Sequence, residues 1–229
     1  MTFTIVPIEN IDIPYSKLQE QNFDVKRFSA GAIILGFRPD DPSIPHILLC
    51  ERAPFGTHDA RASKEDSCPN TWEGTGGDAE PQDRTLLETM VRETFEEVGL
   101  EGWCASSRVY RVTFTHEGDQ MAKYICVMGI RQKINCQRLW SDKLQKPFGS
   151  DKIPIELNPD ENIDYFWATE EQIQNSLPFD HDGRNKEGLV ILDSDKDVFL
   201  DFFRWLRTCD PDMEYPLPEL PSTGVNQRH

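Results

Sequence analysis

The segment from Thr85 to Gly99 restricts this chain more than any other. Thr85-Leu-Leu-Glu88 has the form of a capping box, in which a threonine and a glutamate three residues later satisfy the free amides of a helix start. Gly99 is placed to end the helix in a left-handed conformation. The spacing predicts a helix over residues 86–98. With successive residues about 100° apart, Leu87, Met90, Val91, Thr94 and Val98 fall on one arc, and Glu93, Glu96 and Glu97 on a separate one. Leu86 projects near the acidic arc, so the separation is incomplete in the first turn. Such a helix needs an apolar surface under one arc and a use for three carboxylates on the other.

Charge runs on helices are usually solvated faces. Three features argue for chemistry here. Like charges at i, i+3 and i+4 repel and weaken the helix unless a cation joins them. The turn from Trp72 to Gly77 carries Gly74, Gly76 and Gly77, where the backbone can approach a ligand closely. Arg92 precedes the trio and Gly99-Leu100 closes it. Hard divalent cations such as Mg²⁺ and Mn²⁺ prefer oxygen ligands and bridge carboxylates to substrate phosphates.

The charge balance points the same way. The 24 Lys and Arg residues stand against 40 Asp and Glu, a net charge of −16. That field repels duplex nucleic acid and anionic membrane surfaces, so neither is an expected partner. A phosphate-bearing substrate then needs a metal ion or a few locally placed basic residues.

Around the helix the pattern alternates strand and turn. Residues 28–35 and 46–50 read as a hairpin, as do 108–115 and 122–130. Polar stretches near 53–71 and 136–160 read as insertions. Thr169 is a plausible N-cap for a short helix, and Val198, Phe202, Trp205 and Leu206 predict an amphipathic helix over 195–208. Residues 1–27 read as an extension or edge strand open to homodimer formation, and 209–229 as a polar, proline-rich tail. With no basic leader, no membrane-spanning stretch and six scattered cysteines, the expected compartment is cytoplasmic, with the nucleus as the alternative.

Gly77 followed by Arg92-Glu93-Thr-Phe-Glu96-Glu97-Val-Gly99-Leu100 resembles the signature of the Nudix hydrolases. Asp83 stands where that family usually has Glu, one extra residue separates it from Arg92, and Thr94 occupies a commonly aliphatic position. The longer spacing resembles a fungal-type branch. The likeness extends over about residues 28–175 and includes Asn158-Pro-Asp-Glu161, similar to the family's acidic loop. It implies an α/β fold, an α/β/α sandwich with a mixed β-sheet, over residues 28–208. It also implies Mg²⁺ or Mn²⁺ bound by Glu93, Glu96, Glu97 and the Gly77 carbonyl. Arg92 would orient a glutamate, although by spacing it can equally pair with Glu88 or Glu96. Glu96 or Glu161 would accept the proton of the attacking water, with Asp160 a weaker candidate than Glu161. Asp83, being short, is read as a cap at the helix start.

Arg52, at the end of the 47–50 strand, and Gly76 in the glycine turn are the candidate contacts to substrate or cofactor, beside the alternative that a strand-end arginine is simply exposed. The implied reaction is hydrolysis of the diphosphate in a small nucleoside diphosphate derivative. The rival is a catalytically weak module of the same fold that binds or senses a nucleotide metabolite. An RNA-processing hydrolase is disfavoured by the acidic charge and the lack of a basic patch beside the helix.

Overall fold

The computed structural model describes residues 3–37, 43–54, 68–116, 118–130, 155–179, 188–208 and 212–219. Most of both expected insertions, residues 55–67 and 131–154, lies outside them. The strands are β1 (Phe3–Pro7), β2 (Arg27–Phe37), β3 (Pro45–Arg52), β4 (Trp72–Glu73), β5 (Thr75–Asp78), β6 (Gly102–His116), β7 (Asp119–Ile130), β8 (Asn162–Ala168), β9 (Leu177–Pro178), β10 (Val190–Ile191) and β11 (Tyr215–Pro216). The α-helices are α1 (Tyr15–Gln21), α2 (Leu86–Val98), α3 (Glu170–Gln174) and α4 (Asp193–Leu206).

The hub of the main sheet is β2. Along one edge it runs parallel to β7, from Arg27↔Met121 to Ile34↔Met128. Along the other it pairs antiparallel with β5 over Ser29–Ala32, and then with β3 from Leu35↔Ile47. The strand order is β1-β6-β7-β2-β3-β4, with β11 on β6, β5 on β2 and β8 on β3. This is a mixed sheet. The hairpin read from residues 28–50 exists, but only the end next to its turn is paired, Leu35–Phe37 with Pro45–Ile47, because the glycine strand β5 takes the rest of that edge of β2.

The alternation of β2 divides the core. Phe28, Ala30, Ala32 and Ile34 join Leu87, Met90, Val91 and Val98 of α2 in one buried cluster. Ile33 joins Val198, Phe199, Phe202 and Phe203 of α4 in the other. Residues of opposite parity on a strand face opposite sides, so α2 and α4 cover the two faces and an α/β/α sandwich results. Helix α2 spans the predicted residues. Thr85 accepts a hydrogen bond from the Glu88 amide, and Gly99 adopts φ +71°. The reciprocal bond of the capping box is displaced by one residue, the Glu88 carboxylate accepting from the Arg84 amide at 2.7 Å. Thr169 and Gln172 form a complete capping box on α3. Helix α4 starts earlier than predicted, at Asp193, which with Asp195 puts two carboxylates in a first turn whose dipole favours them.

Of the two alternatives read for the N-terminus, residues 3–7 take the edge strand, whereas the C-terminal segment differs from a plain tail. At the N-terminus, β1 pairs with β6 of the same chain from Phe3↔Val112 to Pro7↔Arg108. Residues 212–219, expected within a tail, instead strap the sheet: Tyr215 and Pro216 pair with Ala105 and Cys104. The Leu217 amide donates to the Trp103 carbonyl at 3.1 Å. An edge strand tolerates proline, so proline-rich composition was a poor guide there. Among the described residues, no helix is long and apolar enough to cross a membrane.

Candidate metal centre

The glycine strand β5 and helix α2 are held face to face by three contacts. The Gly76 amide donates to Glu97 Oε2 at 2.9 Å. The buried hydroxyls of Thr75 and Thr94 meet at 2.9 Å, which accounts for a polar side chain at position 94. Gly77 lies directly against Glu93: a β-carbon there would stand 2.5 Å from the Glu93 carboxyl carbon. Only a residue without a side chain leaves room for that carboxylate.

A loop supplies the third acid. At the C-terminal end of α2 the Glu97 carbonyl accepts from the Asn158 amide at 2.9 Å, and the Val98 carbonyl from the Glu156 amide at 3.1 Å. Two of the helix's last unpaired carbonyls thereby anchor the acidic loop. On its other side the Glu161 carbonyl accepts from the Ala53 amide at 2.7 Å, just past β3. Carboxylate oxygens of Glu93, Glu97 and Glu161 consequently lie within 4.8 Å of one another, with Glu93 and Glu97 buried and Glu161 exposed.

Glu96, the remaining acid of the expected trio, is not in this cluster. Glu93 and Glu97 are offset by only about 40° around the helix, whereas Glu96 falls about 60° to the other side of Glu93. Its side chain is half exposed and ion-paired with Arg92 at 2.9 Å. Asp160 is also outside the cluster; its amide donates to Asn158 Oδ1. Arg52 pairs with Glu73, and the Gly76 amide is taken up by Glu97.

Arg92 is nearly enclosed and contacts protein on every side. Asp83 accepts two hydrogen bonds from it, at 2.8 and 3.0 Å. Its Nη1 lies 2.8 Å from Glu93 Oε1, and its Nη2 donates to the Asp78 carbonyl. Asp83 also accepts from the Glu80 amide and the Thr89 hydroxyl. The N-cap is Thr85, so Asp83 is not that cap but the anchor of the arginine that touches Glu93. Burial opposes ionisation of Asp83, yet the Arg92 hydrogen bonds hold its carboxyl below the usual carboxylate range.

Carboxylates at this separation oppose the ionisation of Glu93 and Glu97, and Arg92 offsets part of that at Glu93. Unit charges 4.8 Å apart repel by about 3 kcal/mol per pair at an effective dielectric constant near 20. Burial, opposed by Arg92 and reinforced by the Glu161 and Glu96 charges, pushes Glu93 up to about 7. Burial and the Glu73 charge raise Glu97 well above its ordinary value, against the pull of the Gly76 amide.

The NUDIX domain family matches residues 26–189, well over half of the chain. The chain belongs to the NUDIX family. No curated protein matches it as a sequence relative. Among solved structures it is similar to a C. elegans Ap4A hydrolase in binary complex, with 12% identity, a TM-score of 0.43, and 64% of this chain and 82% of that one covered. It is also similar to a MutT NUDIX hydrolase from Burkholderia pseudomallei, with 17% identity, a TM-score of 0.38, and 63% and 84% covered. A NUDIX hydrolase from Nitrosomonas europaea gives 14%, 0.45, 85% and 95%.

Hydrolases of the NUDIX family generally use divalent metals, typically Mg²⁺ or Mn²⁺. The donors here fit such an ion: three convergent carboxylates form an all-oxygen set, and Gly77 leaves the space beside them.

Sequence reasoning missed a second charged group next to the NUDIX centre. Lys123 of β7 lies between Glu73 of β4, at 3.4 Å, and Asp195 of α4, at 3.3 Å. Burial opposes ionisation of Glu73, but Arg52 and Lys123 hold it below the usual range. These residues are scattered along the chain, and no local pattern signals their meeting.

A pH dependence follows for the metal-free protein. An acid whose folded pKa exceeds its unfolded value binds protons on folding, so its contribution is present at low pH and lost as pH rises through the folded pKa. For Glu93 the window runs from the ordinary 4.5 to about 7, worth about 3 kcal/mol. Glu97 acts in the same direction. Melting in chelator is expected to drop by roughly 6–12 °C between pH 5 and 7.5, and saturating Mn²⁺ is expected to reverse most of it. A melting temperature that is flat or rising over this window in chelator contradicts the burial of ionising like charges.

Proposed function

We propose that this protein hydrolyses the diphosphate linkage of a nucleoside diphosphate joined to a second moiety, with Mg²⁺ or Mn²⁺ held by Glu93, Glu97 and Glu161 beside the Gly77 carbonyl. The observation that carries the reading is the convergence of three carboxylates, two of them buried, on a glycine strand. Bound there, the ions polarise phosphoryl oxygens, lower the pKa of a water and offset charge on the leaving phosphate.

The protein's own groups divide the remaining work. Glu93 and Glu97 are fixed by Arg92 and the Gly76 amide and act as rigid ligands. Glu161, the exposed member of the cluster, is the proposed acceptor of the water's proton. Glu96, tied to Arg92 at the rim, is the weaker choice. Arg92 positions Glu93 and does not touch substrate. Arg52, about a third exposed beside Glu73, is the proposed contact to substrate phosphate. Gly76 serves the site through Glu97 and not through substrate.

The rival sensor reading draws on Asp83 and the longer box spacing. Asp83 nevertheless binds Arg92 through both oxygens, so the shorter acid leaves no gap in the support of Glu93, and hydrolysis is the better reading. The same spacing supports placement in a fungal-type branch.

The test is a chromatographic panel of nucleoside diphosphate derivatives incubated with Mg²⁺ or Mn²⁺. Phosphate-containing products are expected from at least one compound, and their formation is expected to stop with chelator. Binding without turnover, insensitive to chelation, would favour the sensor.

A further inference from the structure

The four-residue ion chain Asp195–Lys123–Glu73–Arg52 crosses from α4 to the end of β3, and each member lies on a different element. The side chains of Asp195, Glu73 and Lys123 are 3%, 10% and 18% exposed. Two cations and two anions make the chain neutral. Buried ion pairs of this kind seldom add net stability over apolar side chains of similar size, so stability alone does not account for it.

Its Glu73–Arg52 half leads into the proposed metal centre. Glu73 is followed by Gly74 and then by Thr75-Gly76-Gly77, where the Gly76 amide binds Glu97 and Gly77 faces Glu93. Arg52 is followed by Ala53, whose amide binds the Glu161 carbonyl. Strand β4 is only Trp72 and Glu73 long and pairs with β3 at two positions, Cys50↔Glu73 and Glu51↔Trp72. So short a strand has few backbone bonds to fix it, and the Glu73 carboxylate adds side-chain ties on both sides.

We propose that Lys123 and Asp195 are positioning residues for the metal centre: anchored by α4, they hold Glu73 and Arg52 so that the glycine strand and Glu161 meet Glu93 and Glu97 at ligating distance. The inference rests on the metal-centre reading above. Removing Lys123 leaves Glu73 and Asp195 buried without their shared cation and frees β4 to shift, which loosens two sides of the centre together. Mutation of groups that orient metal ligands typically costs 10–100-fold in metal affinity.

The experiment is Mn²⁺ titration of the full chain by calorimetry, well below the melting temperature, with metal-free melting recorded in parallel. Wild type is expected to bind Mn²⁺, and Lys123→Met to bind it at least about tenfold more weakly. Should Lys123→Met fail to fold, the paired variant Lys123→Met with Asp195→Leu removes both charges at once, keeps apolar volume and is expected to show the same loss. Arg108→Gln, which breaks the distant Arg108–Asp201 pair, controls for destabilisation: it lowers the melting temperature and keeps wild-type Mn²⁺ affinity. Mn²⁺ affinity within twofold of wild type in either Lys123 variant overturns the positioning role while leaving the metal centre standing. Absence of Mn²⁺ binding by wild type removes both.

Discussion

Glu97→Gln is expected to lower kcat/KM by roughly 10²–10³-fold, the scale on which one preorganised charged group at a reacting centre is felt, while the metal-free protein becomes harder to melt. The two effects have opposite signs for one reason. The Glu97 carboxylate is buried beside Glu93 and Glu161, where its charge is useful only with a cation present. A glutamine keeps an oxygen to accept the Gly76 amide, so the contact between β5 and α2 survives. Without metal it removes a buried acid whose ionisation burial and the neighbouring carboxylates oppose. Activity and melting in chelator, measured on the same preparation, check this. A variant that retains wild-type turnover would remove Glu97 from the ligand set, and one that melts earlier would show that its charge is already compensated by protein.

Arg92→Ala is expected to cost about 3–5 kcal/mol, the usual penalty for stranding one partner of a buried pair. For a chain of this size that is a fall of roughly 10 °C or more in melting temperature. Arg92 fills four roles: two hydrogen bonds to Asp83, an ion pair with Glu93, another with Glu96, and a bond to the Asp78 carbonyl. Its removal leaves Asp83, whose side chain is only 5% exposed, without a cation. Arg92→Lys restores the charge but not the two-pronged geometry, and is expected to recover part of the stability. A double-mutant cycle with Asp83→Asn is expected to give a coupling of about 2 kcal/mol. Additive losses from the two substitutions would show that Asp83 and Arg92 act independently.

Local signals in the chain carry far for α2. Its limits, its caps and its buried arc are all visible in Thr85 to Gly99, because capping and helical periodicity are properties of contiguous residues. The same holds for the capping box of Thr169 and Gln172. The glycine turn was legible as a place of close approach, and the charge balance as a reason to expect a cation. The acidic stripe was less well resolved. Helical projection groups Glu93, Glu96 and Glu97 together, but cannot say which of three neighbouring side chains turns inward.

That choice depends on what stands opposite the helix. Gly77 opens a space for Glu93, the Gly76 amide draws in Glu97, and Arg92 keeps Glu96 at the rim. Glu161 joins them because the last carbonyls of α2 and the amide of Ala53 pin its loop from two sides. The ion chain through Lys123 joins residues from four separate elements in the same way. The sequence by itself determined the helix, its caps and the acids available for chemistry, since these depend on neighbours a few positions apart. Only the tertiary structure decided which acids converge and what braces them, since electrostatics and hydrogen bonding act across space between segments that the chain order keeps apart.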